Sequence, residues 1–88
     1  MEKVNFEKLE ILYLNKNNIK NINILEKVNF KELKKLYFYN NNISDIKVLE
    51  KVKFEKLEEL DLSHNKIDLT QNNSIILKLE SLLIRLII

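Results

Sequence analysis

The sequence predicts an α/β repeat fold, a short solenoid with parallel strands on its concave face and short helices or turns on its convex face. Three observations predict it. Apolar columns recur every 24 residues, as at Val4, Val28 and Val52 or Leu12, Leu36 and Leu60. Within each unit a brief alternation of apolar and polar residues has the period of a strand. Each alternation then ends in an asparagine, followed two places on by isoleucine: Asn17 and Ile19, Asn41 and Ile43, Asn65 and Ile67.

The strand comes first in each unit. Leu9, Leu33 and Leu57 open a pattern L-x-x-L-x-L that places strands at about residues 11–14, 35–38 and 59–62. Side chains alternate across a strand, so Leu12 and Leu14, Leu36 and Phe38, and Leu60 and Leu62 share the core side. Tyr13, Tyr37 and Asp61 fall on the other. No single strand buries its apolar side alone, so units one step apart must stack in parallel.

Next comes the corner. A chain that turns out of a strand leaves backbone N–H and C=O groups facing the interior, and an unpaired one costs on the order of 1–3 kcal/mol. An asparagine amide both donates and accepts, which accounts for Asn17, Asn41 and Asn65, and the following isoleucine re-enters the core. Ile22, Leu25 and Val28, like Ile46, Leu49 and Val52, are spaced three apart, which suits a turn or two of helix on the convex side. Phe6, Phe30 and Phe54 follow as a stacked aromatic spine.

The pattern fails after Ile67. At the 24-residue step the expected isoleucine and leucine fall on Thr70 and Asn73. The rest is read either as one helix with a polar stripe of Ser74, Lys78, Ser81 and Arg85, or as a helix over about 73–80 followed by a closing strand. The second is preferred, because a terminal unit must cover the last open core face and Leu79, Leu82 and Ile84 again satisfy L-x-x-L-x-L. That places the last strand at about 82–87. The N-terminal unit has no comparable cover, which leaves a frayed edge, preceding repeats or packing on another molecule as readings, end-to-end self-association among them. The whole of 1–88 is expected to form a single domain, with units of about 4–27, 28–51 and 52–78 and a C-terminal cap over about 73–88.

Written out, the unit L-x-x-L-x-L-x-x-N-x-I-x-x-I-x-x-L-x-x-V-x-F resembles the leucine-rich repeat family. It is most similar to the intracellular N-x-I-x-x-I-x-x-L class found in regulatory subunits of protein phosphatase 1, lengthened by two residues. The resemblance runs from Val4 to about Ile67. It implies a non-catalytic module that binds a protein partner on its concave strand face. A structural spacer of a longer array, with no site of its own, and a phosphatase-regulatory subunit are the alternatives.

Composition narrows the function further. Fifteen basic against thirteen acidic residues leave a net charge of only +2, with Lys and Glu interleaved and a single arginine, Arg85. Nucleic acid is therefore not an expected partner, since phosphate binding needs clustered cations. The apolar C-terminal stretch is too short and too charged to span a bilayer, so no membrane role is expected either. No cysteine is present and the start lacks the features of a signal peptide, so a cytoplasmic location is expected. Without glycine there is no phosphate-binding loop, and no cofactor is expected.

The candidate binding residues are the non-motif positions of the strands and the turns beyond them: Tyr13, Lys35, Tyr37, Tyr39, Glu59, Asp61 and His64. All three tyrosines of the chain lie there, and tyrosine is enriched at interface hot spots for its rigid apolar body and polar tip. Strands also favour tyrosine without any partner. Asp61, Ser63 and His64 are not expected to be catalytic, because an open sheet face offers neither pocket nor oxyanion hole. Asp61 with His64 is likewise short of a metal ligand set. Glu7, Lys8 and Glu10, with the equivalent Glu55, Lys56, Glu58 and Glu59, read as a solvated face.

Overall fold

The computed structural model of the protein describes residues 4–5, 8–82 and 84–88. Four parallel strands form the main sheet in chain order: β2 (Ile11–Tyr13), β4 (Lys35–Tyr37), β5 (Glu59–Asp61) and β6 (Arg85–Ile87). β1 (Val4–Asn5) and β3 (Val28–Asn29) pair in parallel as a second, two-stranded sheet. Two 3₁₀ helices, Asn23–Lys27 and Lys47–Glu50, and one α-helix, α1 (Asn73–Ser81), complete the described elements.

The repeat step is the register of the sheet. Ile11, Leu12 and Tyr13 sit beside Lys35, Leu36 and Tyr37, and these sit beside Glu59, Leu60 and Asp61. Each apolar column of the sequence thereby becomes a row of touching side chains. Leu33, Leu36, Ile43, Ile46 and Leu60 are fully enclosed, with Phe38 and Leu62 nearly so. Burying a side chain of this size contributes about 1.5–3 kcal/mol, so the middle unit is the best stabilised. In the first unit the same columns, Leu12, Leu14 and Ile19, are only partly covered. Phe30 and Phe54 stack with ring centroids 6.3 Å apart, while Phe6 lies outside the described residues.

The three-residue spacing on the far side gives 3₁₀ rather than α-helix. At three residues per turn, positions i and i+3 eclipse, which lets Ile22 and Leu25, and Ile46 and Leu49, point into the core together. The β1–β3 pair beside them is too short for any periodicity and was not anticipated.

The last unit corrects the sequence reading in register. Leu60 pairs with Leu86 and Glu59 with Arg85, so this step is 26 residues, not 24. The closing strand spans Arg85–Ile87, and Ile84 and Leu86 face the core while Leu82 is 55% exposed in the turn after α1. The extra pair of residues is taken up between Ile67 and Asn72, where Asp68 Oδ1 accepts from the amides of Thr70 and Gln71. Counted at 26, the expected isoleucine and leucine fall on Asn72 and Ile75 instead of Thr70 and Asn73. Both are buried. The one-helix reading of the C-terminus fails because the polar stripe breaks at Arg85, which belongs to a strand.

Candidate protein-binding face

The corners fix where the sheet face ends. Asn41 Oδ1 accepts from the amides of Asn17 (2.9 Å) and Ile19 (3.0 Å) in the preceding unit, and its Nδ2 donates to Leu14 O (2.9 Å) and Phe38 O (3.0 Å). Asn65 repeats the pattern one step on, accepting from Ile43 N and donating to Phe38 O and Leu62 O. One buried amide therefore ties two corners together. Just before each of these asparagines the chain reverses through the left-handed region, at Lys16 (φ 56°), Asn40 (φ 57°) and His64 (φ 56°). With no glycine to take this position, each costs about 1–2 kcal/mol, least for asparagine and histidine. The recurrence marks the turn as a fixed part of the unit.

Beyond the core, the sheet presents two rows of outward side chains. Ile11, Lys35, Glu59 and Arg85 form one; Tyr13, Tyr37, Asp61 and Ile87 form the other. Tyr13 and Tyr37 stack with centroids 4.8 Å apart and planes 12° from parallel. The Tyr37 hydroxyl donates to Glu59 Oε2 at 2.7 Å, and Glu59 Oε1 lies 3.8 Å from Arg85 Nη1. A continuous chain of contacts thus crosses all four strands. Donation to the Glu59 carboxylate, with partial loss of solvent, pushes the Tyr37 phenol up to about 12, because the bond exists only while the phenol keeps its proton.

The remaining candidates sit around this row. Asn15 Oδ1 accepts from the Tyr39 amide at 2.7 Å, and the Tyr39 ring meets His64 edge to face at 5.0 Å. His64 is on the turn and exposed. Ser63 donates both its amide and its hydroxyl to Asp61 Oδ1, which is a local turn closure, with the hydroxyl proton directed at a carboxylate and not at an imidazole. Among the described residues no group of three or more His, Cys, Asp or Glu side chains is placed to hold a metal. Tyr13, Lys35, Tyr37, Tyr39, Glu59 and Asp61 share the outer face, and His64 borders it.

Two residues of structural weight were missed. Arg85 joins the face only through the 26-residue step, which no constant period reveals. Asn72 stands where the earlier units have Ile22 and Ile46; it is 2% exposed, accepts from Ile46 N (3.2 Å) and donates to Ser44 O (3.1 Å) and Asp68 O (2.8 Å). The only advance signal was a polar residue inside an otherwise apolar column.

Parallel strands stacked in chain order, joined by amides that each serve two corners, define a stacked-repeat protein. The family model "Leucine Rich repeats (2 copies)" matches residues 7–51 and again residues 31–84. The chain belongs to the leucine-rich repeat family, whose members are typically non-catalytic interaction modules. No curated protein and no solved structure matches the chain. Among the described residues no helix is long and apolar enough to cross a membrane.

Proposed function

We propose that the protein is a cytoplasmic, non-catalytic interaction module, a short solenoid whose concave sheet face binds a protein partner through Tyr13, Tyr37 and Tyr39, with Lys35, Glu59, Asp61 and His64 around them. The observation that carries this is the Tyr13–Tyr37 stack and its bond to Glu59. Tyr13 is 65% exposed, yet its ring is already held against a neighbour. An aromatic side chain fixed before binding loses little rotamer freedom on association, which favours affinity. The finer reading, a regulatory subunit of protein phosphatase 1, rests on the resemblance of N-x-I-x-x-I-x-x-L alone.

The test is capture of a partner by the intact chain, followed by affinity measurement on variants. Tyr37→Ala should weaken binding by about 2 kcal/mol or more, while Lys47→Ala, on the opposite side, should be near neutral. Circular dichroism on each variant separates lost binding from lost fold. A partner indifferent to Tyr37→Ala and Tyr39→Ala, but lost when residues 82–88 are removed from a chain that stays folded, would place the site at the C-terminal end. Recovery of the phosphatase catalytic subunit in the capture would support the finer reading.

A further inference from the structure

We propose that Asp61 selects the partner of the sheet face by holding the guanidinium group of a partner arginine laid flat against the Tyr37 ring. This rests on the reading of the sheet face as the binding surface, and names the chemistry that the surface takes. Among the described residues three acids are half-buried, Glu32, Glu59 and Asp61. Glu32 pairs with Lys56 at 2.8 Å and Glu59 with Arg85 at 3.8 Å. Asp61 has no ion pair within the described residues, and its neighbours in the outward row are Tyr37 on β4 and Ile87 on β6. A partner that covers the face strips water from this carboxylate, which is costly unless the partner brings a cation to it.

The two oxygens of Asp61 divide the work. Oδ1 accepts from the Ser63 amide at 2.9 Å and from the Ser63 hydroxyl, and among the described residues nothing donates to Oδ2. A carboxylate oxygen offers two lone pairs, so Oδ1 is full. Its two bonds also hold the carboxylate in place before anything binds. An incoming donor therefore meets one fixed oxygen, and a guanidinium reaches it through one N–H rather than as a two-pronged fork.

Tyr37 decides between the two basic side chains. Its ring stacks on Tyr13 with centroids 4.8 Å apart and planes 12° from parallel, so both rings face along the stack of units. Tyr13 covers one side of the Tyr37 ring. The other side is turned toward β5, where Asp61 is the register partner of Tyr37. The hydroxyl bond to Glu59 Oε2 holds the ring in this position. The Tyr37 phenol, raised chiefly by that bond, is raised further by the charge of Asp61, which puts the carboxylate within electrostatic reach of the ring. Adjacent strands lie about 4.8 Å apart, so a planar guanidinium on the ring donates to Oδ2 from the same position. An ammonium is compact, more strongly hydrated and has no flat side to lay on the ring.

The test titrates the isotope-labelled full chain with Nα-acetyl-arginine methylamide and, at matched ionic strength, with its lysine and citrulline counterparts. The arginine probe should give saturable shifts at the amides of Tyr37, Asp61 and Ser63, and its δ-methylene protons should move upfield under the Tyr37 ring. The lysine probe should bind about two- to fivefold more weakly, and the uncharged citrulline probe should give no saturable shift. Asp61→Asn, which keeps Oδ1 as the acceptor for Ser63, should abolish the arginine response in a chain that stays folded by circular dichroism. An arginine response that survives Asp61→Asn, or that the lysine probe matches, would overturn the assignment. The captured partner separates this inference from the reading beneath it. Affinity lost with Tyr37→Ala but kept with Asp61→Asn would leave the face as the binding surface and remove the arginine. A loss of about tenfold or more in both variants supports both, and indifference to both would remove the face itself.

Discussion

Replacing Asn41 by alanine should unfold the protein more readily than any other single asparagine change in the 40–42 run. Asn41 is 6% exposed and makes four hydrogen bonds to backbone, two accepted and two donated, all between 2.9 and 3.0 Å. At a net value of about 1 kcal/mol each, their loss amounts to about 4 kcal/mol. Asn17 and Ile19 lie in the partly exposed first unit, so water re-satisfies part of this, and roughly 3 kcal/mol is the expected cost. The Asn42 side chain donates to the side chain of exposed Asn18, while its backbone amide, which alanine keeps, donates to Ile19 O, so its alanine variant should cost about 0.5 kcal/mol or less. Urea denaturation reads the difference directly. With a slope near 1–1.5 kcal/mol/M for a chain this small, Asn41→Ala should lower the midpoint by on the order of 2 M, with Asn42→Ala close to the unaltered protein. Equal midpoints would mean that the corner amides do not hold the units together.

Two further outcomes follow from single residues. Asn72→Ile restores the isoleucine of the first two units, yet it should destabilise by about 2–3 kcal/mol in thermal or urea unfolding, because Ile46 N and Ser44 O lose their side-chain partner and Asp68 O keeps only the backbone amide of residue 72; a variant as stable as the parent would show that the column wants an apolar side chain after all. In an ultraviolet titration Tyr37 should ionise at about 12, and Glu59→Gln should bring it back toward the ordinary phenol value of about 10. Since the folded value is raised, the contribution of this bond to stability is whole below the ordinary phenol range and disappears as pH rises through about 12.

Where the 24-residue step holds, the sequence was enough. Strands expected at 11–14, 35–38 and 59–62 occur at Ile11–Tyr13, Lys35–Tyr37 and Glu59–Asp61, and the outward position of Tyr37 against the inward one of Leu36 follows from alternation alone. Periodicity fails at the third corner, where two added residues shift every later column. That shift hid Asn72 and moved the closing strand from about 82–87 to Arg85–Ile87. The β1–β3 pair was illegible for another reason: two residues show no period, and their pairing is imposed by the stacking of the units that carry them. The contacts of the outer face were also beyond reach, since which of Lys35, Glu59 and Arg85 pair depends on rotamers and on a register that the sequence misplaced.

The binding face is tested most directly by mapping a captured partner onto the isotope-labelled chain by amide chemical-shift perturbation. Binding on the tyrosine side requires the largest shifts along Tyr13, Tyr37, Tyr39 and the neighbouring Glu59 and Arg85, with the 3₁₀ helices Asn23–Lys27 and Lys47–Glu50 unmoved. Shifts concentrated instead on the exposed apolar residues Leu77, Leu82 and Ile88, with the tyrosine rows silent, would contradict it and leave the sheet face as scaffold.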